Sequence, residues 1–226
     1  MRILRAGLIA ALIAWALATL YVILMVRERY GRRGPIPVSQ ARTLLHPLRS
    51  LIQPAGATVR RFRLQPGDTA LEVGPGPGYF TIEAARSVGP AGRVICLDVQ
   101  PGMLPLLCQR LDESGTANAC PLVGDATRLP LADASVDAAF LVAVLGEVPD
   151  RPAALRELRR VLKPGGALTF CETLTDPDYV FQASLRDLCR ASGFEELAGS
   201  RNVTGYTMTF AAPAPGDIAG RSLRAV

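Results

Sequence analysis

Two features suggest chemistry in this chain: carboxylates set beside a glycine-rich turn, and carboxylates that follow apolar runs. Glu72 stands just before Gly74-Pro75-Gly76-Pro77-Gly78, a run whose missing side chains would let a ligand approach the backbone. A dinucleotide pyrophosphate calls for G-x-G-x-x-G, whereas here Tyr79 occupies the place of the third glycine. Pro77 also lacks the N–H that a phosphate cradle would use. No G-x-x-x-x-G-K-[ST] run occurs, which argues against nucleoside triphosphate hydrolysis. A ligand without phosphates therefore suits the loop better, and a plain tight turn is the alternative. Asp98 follows Gly74 by 24 residues, where a carboxylate can accept hydrogen bonds from both hydroxyls of a ribose or cap the next helix. A buried Glu72 needs a partner, which a cationic amine on a ligand would supply. Asp125-Ala126 could hold a purine amino group or form a simple turn. Glu147 is a candidate general base, or a solvated or capping residue. His46, the single histidine, is followed by Pro47; it could face a substrate if its segment folds over the site, or be an ordinary surface residue.

These residues need a scaffold, and the hydrophobic pattern supplies one. Apolar runs predict strands over 70–73, 93–97, 120–123 and 167–171, with an unbroken run over 136–144 that marks a strand buried on both faces. Helical periods fill the gaps over 79–88, 101–114, 151–162 and 178–192. The helix over 151–162 is stopped by Lys163-Pro164-Gly165-Gly166. Runs over 194–198 and 206–211 could close the sheet as an antiparallel pair. Strands alternating with helices imply an α/β fold with a parallel sheet covered on both sides. In such a sheet ligands bind at the carboxyl ends of the strands. The loop 74–78, Asp98, Asp125 and the segment 145–147 all fall there. Only about half a dozen residues (172–177) separate the fifth strand from its helix, so any cover over the site should come from residues 30–66, a partner or a bilayer.

Composition narrows the class further. The chain has 226 residues and a mean hydropathy of +0.23, which suits one ordinary domain with an appendage and excludes intrinsic disorder. Residues 6–26 form an uncharged run of 21, about 31 Å long as a helix and able to cross a bilayer core. Arg27, Arg29, Arg32 and Arg33 follow it and outnumber Arg2 and Arg5, which predicts an uncleaved anchor with its C-terminal side facing the cytoplasm. A cleavable signal peptide and a helix lying in one leaflet are the alternatives. From Arg27 to Arg63 nine Arg face one acid, a net of +8, whereas from Asp68 onward 14 basic and 19 acidic residues give −5. The basic stretch reads as a contact with anionic lipid. The acidity of the domain itself argues against a nucleic-acid partner. Five cysteines at 96, 108, 120, 171 and 189 form no C-x-x-C pair, so neither a disulfide framework nor a metal site is indicated. Four of them sit in apolar runs and read as small hydrophobes in a reducing compartment.

The motifs together resemble the class I S-adenosylmethionine-dependent methyltransferases, nearest the type-11, ubiquinone/menaquinone-biosynthesis-like group. The resemblance covers residues 66–213. It rests on Leu71-Glu72-Val73-Gly74-Pro75-Gly76-Pro77-Gly78, on Asp98 with Met103, on Gly124-Asp125-Ala126 before Leu129-Pro130-Leu131, and on Leu162-Lys163-Pro164-Gly165-Gly166. It implies a Rossmann-like doubly wound seven-stranded sheet, mostly parallel with an antiparallel C-terminal strand. By the same resemblance Gly74, Pro75, Gly76 and Gly78 pass under the methionine part of S-adenosylmethionine, and Glu72 helps hold its amino group. Asp98 binds the ribose, while Met103 and Asp125-Ala126 flank the adenine.

The expected organisation is an anchor over 1–30, a basic connector or lid over 31–66 with helical stretches over 41–51 and 57–64, the methyltransferase domain over 67–213 and a tail over 214–226. The expected activity is methyl transfer to a lipophilic small molecule at the cytoplasmic membrane surface: a phospholipid amine, a quinone precursor or an alkyl thiol. A non-catalytic S-adenosylmethionine-binding membrane scaffold is the competing class. A nicotinamide-dependent reductase is disfavoured by the missing third glycine.

Overall fold

β-Branched and aliphatic residues dominate the segments that pair into a sheet, and the sheet is the frame on which the carboxylates are mounted. The structure is a computed structural model that describes residues 34–213. The expected membrane helix over 1–30 and the tail over 214–226 lie outside these residues. Among the described residues no helix is long and apolar enough to cross a membrane.

The strands are β1 (Thr69–Val73), β2 (Arg93–Asp98), β3 (Ala119–Val123), β4 (Val136–Val142), β5 (Leu162–Thr173), β6 (Glu195–Asn202) and β7 (Gly205–Ala211). They form one seven-stranded sheet in the order β3-β2-β1-β4-β5-β7-β6. β1 to β5 pair in parallel, and β7 runs antiparallel to both β5 and β6. The helices are α1 (Pro47–Ile52), α2 (Ala55–Val59), α3 (Thr81–Val88), α4 (Leu104–Ser114), α5 (Arg151–Val161) and α6 (Gln182–Ala191). Strand order reverses between β1 and β4, which opens a crevice at their carboxyl ends.

Period-two alternation sends neighbouring strand residues into opposite cores. On one face Leu71, Leu141, Phe170 and Phe210 bury against Leu155 and Leu158 of α5 and Leu185 of α6. On the other, Ala70, Val94 and Phe140 bury against Ala85 and Val88 of α3, Leu107 of α4, and Phe62. Phe62 belongs to the connector, and its ring stacks on Phe140 at 4.8 Å and 28°.

The structure corrects several sequence expectations. The single helix expected over 41–51 is split into a 3₁₀ helix at Val38–Leu45 and α1. Pro47 keeps the preceding residue out of the α region, and His46 sits at φ −58°, ψ 133°. The stretch expected over 57–64 is replaced by the shorter α2, which starts two residues earlier and ends at Val59. β4 ends at Val142, because Ala143 turns to φ +55°. The residues expected to stop the helix after 162 instead belong to β5. The register slips from Val136↔Leu162 to Ala138↔Ala167, so Lys163 to Gly166 bulge out of the ladder. The helix expected from 178 begins at Gln182, so the connection after β5 is longer than the sequence indicated and has its own aromatic residues. Cys96, Cys171 and Cys189 are buried, but Cys108 and Cys120 are exposed. Cys108 lies off the inner face of α4, which Leu107 and Leu111 fill, and Cys120 is on edge strand β3.

Candidate functional site

Each strand in the middle of the sheet delivers one polar element to the crevice. At the end of β1 the chain enters the glycine loop, which is fastened at both ends. The Gly74 N–H donates to the Leu97 carbonyl at 2.8 Å and the Gly78 N–H to the Pro75 carbonyl at 3.0 Å. Gly74 has φ +71°, and a Cβ there would lie 2.5 Å from Cγ2 of Val144. At Gly78, φ +82°, a Cβ would lie 2.6 Å from Cδ1 of Leu107. Backbone conformation and close packing thus both demand glycine at these two positions.

Asp98 ends β2 and is only 5 % exposed. Its Oδ2 accepts from the Gly76 N–H at 3.2 Å and its Oδ1 from the Gln100 N–H at 2.9 Å. Each oxygen keeps lone pairs for further donors, and burial pushes its pKa above the usual carboxylate range. The side chain thus ties the loop after β1 to the segment after β2.

Glu72 is buried behind the loop, and its Oε2 accepts from the Thr81 hydroxyl at 2.6 Å. Burial raises its pKa to about 7; the Thr81 hydrogen bond opposes the shift and the nearby Asp98 charge adds to it. The partner that the sequence could not name is therefore Thr81, on the first turn of α3. Met103 and Ala126 are buried just beyond β2 and β3. Asp125 is exposed, and its Oδ1 accepts from the N–H and hydroxyl of Thr127, both at 2.8 Å. It therefore closes its own turn.

The connector lies on this loop. The Gln100 side-chain amide donates to the Ile36 carbonyl at 2.9 Å, and a Cβ on Gly76 would rest 3.4 Å from Leu44. The Arg49 guanidinium sits 4.5 Å from the Tyr79 ring centroid and 5.1 Å from that of Phe80, a cation–π stack, and donates to the Leu44 carbonyl at 2.9 Å. The Tyr79 hydroxyl donates to the Gln53 carbonyl at 3.0 Å. Apart from the local Arg49–Leu44 bond, none of these clasps was visible as a motif, because each joins residues far apart in the chain.

A cleft of about 60 Å³ adjoins the connector at the carboxyl end of β5, lined in part by Gln53, Thr58, Arg61, Cys171, Glu172 and Tyr206. The Cys171 thiol accepts from the Gln53 side-chain amide at 3.4 Å and from the Thr207 hydroxyl at 3.6 Å. Burial pushes its pKa up, so it stays a neutral thiol. Glu147 is half-buried in the 3₁₀ helix Leu145–Glu147 that follows β4, and its charge bears on Glu172. His46 is exposed at the junction of two helices and does not line the cleft. Glu172, buried at the end of β5, escaped the sequence reading. The available signal was a carboxylate at the end of an apolar strand, the same signal that marks Asp98. Among the described residues no group of His, Cys, Asp and Glu could hold a metal ion.

Comparison with known proteins bears on the family and the fold. Residues 71–170 match a family model described as a methyltransferase domain. The chain is 36% identical over 151 residues to a demethylmenaquinone methyltransferase of Mycobacterium marinum, covering 66% of this chain and 61% of that protein. It is 37% identical over 116 residues to a demethylmenaquinone methyltransferase of a Geobacillus species, covering 51% of this chain and 50% of that protein. The chain thus spans about half to three fifths of the length of these curated relatives. Among solved structures, a SAM-dependent methyltransferase from Aquifex aeolicus superposes with a TM-score of 0.74 at 21% identity, covering 79% of this chain and 100% of that one. The [4+2]-cyclase SpnF superposes with a TM-score of 0.64 at 22% identity, covering 70% of this chain and 80% of that one; at such identity the likeness is of fold alone. Residues 71–170 thus match a methyltransferase domain, and the curated relatives described above are demethylmenaquinone methyltransferases.

Proposed function

We propose that this protein transfers a methyl group from S-adenosylmethionine to a lipophilic acceptor of the reduced-quinone type. The observation that carries the cofactor assignment is the Asp98 carboxylate, buried at the end of β2 and hydrogen-bonded to the Gly76 N–H. A ribose held by Asp98 places the rest of the molecule over the glycine loop. Its ammonium group then faces Glu72, a buried carboxylate otherwise held by one hydroxyl. Met103 and Ala126 supply apolar flanks for the base, and Asp125 a polar edge. The sulfonium supplies a reactive methyl group; the protein's task is alignment and exclusion of water. The quinone-type acceptor is favoured over a phospholipid amine or an alkyl thiol by the demethylmenaquinone methyltransferases among the relatives. The basic connector and the apolar segment over 1–30 support a site held at the cytoplasmic face of a membrane.

Calorimetric titration of the full chain with S-adenosylmethionine, with NADH as comparison, tests this reading. Micromolar binding of the sulfonium compound alone supports it, and binding of NADH overturns it. Methyl transfer to a prenylated naphthohydroquinone separates the enzyme from a scaffold that binds without turnover.

Glu72 gives the binding a pH signature. Its pKa stands raised from 4.5 to about 7 in the folded protein, so deprotonation in the fold is resisted and stability falls as pH rises from about 4.5 to 7. A cationic ammonium beside the carboxyl favours its charged form. Cofactor binding near pH 6 is therefore expected to release close to one proton, seen as a dependence of the binding heat on buffer ionisation enthalpy. In Glu72→Gln that dependence should vanish.

A further inference from the structure

Glu172 is the most poorly satisfied carboxyl group near the crevice. It is 2 % exposed, yet its Oε1 has no hydrogen-bond partner, and its Oε2 receives only a long 3.5 Å bond from the Val180 N–H. A buried acceptor left unmade carries a desolvation cost with nothing in the fold to offset it. An apolar residue of similar size would serve the core better. The same segment holds a second such atom, Oδ2 of Asp178, and Asp178 packs with its carbonyl against Gly146, just after β4. Two unsatisfied carboxylate oxygens thus sit at the end of β5 and on the connection that leaves it. In the β4–β5 register Val142 pairs with Cys171, which puts Glu172 level with Ala143, one residue from the Val144 that packs on Gly74.

The surroundings of Glu172 are aromatic. The rings of Tyr179 and Tyr206 meet edge to face at 5.7 Å, and those of Tyr179 and Phe181 at 5.3 Å. The Tyr206 hydroxyl is taken by the Val180 carbonyl at 2.5 Å, so it is not free to satisfy Glu172. Phe181 and Leu174, on the same connection, are exposed large apolar side chains. Glu172 and Tyr206 also line the cleft beside the connector. An apolar, aromatic-walled position with one unsatisfied carboxyl oxygen fits a flat ring that bears a hydroxyl group.

We propose that Glu172 is the acceptor base of this site: Oε1 holds the hydroxyl of a phenolic ring and takes its proton. This rests on the reading that the acceptor is a reduced quinone. The O–H bond breaks with its proton passing to Oε1, and the electron pair on oxygen flows through the ring. The ring carbon beside the hydroxyl-bearing carbon forms a bond to the methyl group, and the methyl–sulfur bond breaks with its pair staying on sulfur. The ring carbon then loses its own proton to water, and Glu172 returns its proton to the oxygen. The net change is one C–H replaced by C–CH₃ with one proton released. No oxidant is needed.

Charged and titratable groups around Glu172 are Asp176 from its own connection, Glu147 and Arg151 from the segments after β4, Tyr206 from β7 and Tyr179. Burial, with Asp176 and Glu147 adding to it and Arg151 opposing, sets the carboxyl at about 8. A base must be deprotonated, so the wild-type turnover rate should rise with pH through that value.

The experiment uses the full chain, S-adenosylmethionine and a 1,4-naphthohydroquinone carrying one prenyl group, kept reduced. Glu172→Gln should lower kcat by about 100-fold or more and abolish the alkaline rise. Its S-adenosylmethionine affinity should stay within about twofold and its melting temperature should match or exceed the wild type. Glu172→Asp, which keeps the acid, should recover at least about tenfold over Glu172→Gln. A Glu172→Gln enzyme within about threefold of wild type overturns the assignment and leaves the quinol reading intact. So does a loss that accompanies lower melting temperatures in both variants, since that marks a structural role. If the wild type binds S-adenosylmethionine but methylates no hydroquinone, the acceptor reading fails, and this assignment with it, before any variant is made.

Discussion

Replacement of Asp98 by alanine should weaken S-adenosylmethionine binding by about 100-fold, the loss expected for two hydrogen bonds to one charged group at roughly 1.5 kcal/mol each. The carboxylate has one role in the fold and a second in the proposed complex. Its oxygens accept from the Gly76 and Gln100 N–H groups, which sets the loop, and their remaining lone pairs are those proposed to hold the ribose. Alanine removes both. Asp98→Asn keeps one acceptor oxygen and one donor, so it should fall between alanine and wild type. Calorimetric titration measures the affinity, and the melting temperature measures the fold. Burial has pushed the Asp98 pKa up, which means the charged form is costly in the folded state. Removing it should therefore leave the melting temperature within a few degrees of wild type. An unchanged affinity in Asp98→Ala would remove the ribose role and with it the central support for the cofactor assignment.

Phe62→Ala should have the largest effect on stability, about 3–5 kcal/mol, typical for deleting a buried aromatic ring. For a domain of this size that lowers the melting temperature by roughly 6–20 °C. Phe62 is fully buried, stacked on Phe140 of β4 and tilted against Phe80 at 6.4 Å. It pins the end of the connector to the face of the sheet that α3 and α4 cover. The connector in turn presents Leu44 to Gly76 and Arg49 to Tyr79 and Phe80. Loss of the ring should therefore also weaken cofactor binding, whereas alanine at the exposed Leu197 of β6 should change neither by more than about 0.5 kcal/mol. If Phe62→Ala melts like wild type, the connector is not part of the cooperative unit.

The sheet was legible because its signals are local. A strand buried on both faces shows as an apolar run, and a crossover helix shows as a 3.6-residue period. A tight turn at a strand end shows as glycine, and Gly74 and Gly78 could be read in this way. The boundaries that failed did so for equally local reasons. His46 was pushed out of the helical region by Pro47, and β4 was cut short by a residue of positive φ. The bulge at Lys163 to Gly166 was hidden for another reason: a strand register exists only between two chains of residues.

The candidate site divides along the same line. Residue type and spacing on their own determined a parallel α/β sheet, the loop over 74–78 and the carboxylates at 72 and 98, because backbone conformation and strand ends are encoded within a few neighbouring residues. Only the tertiary structure decided that Thr81 is the partner of Glu72, that Arg49 clasps Tyr79, and that Glu172 is buried with an unsatisfied oxygen beside the rings of Tyr179 and Tyr206. Those are matters of burial and pairing between distant residues. Whether a carboxylate becomes costly depends on what surrounds it, and no run of sequence states its own surroundings.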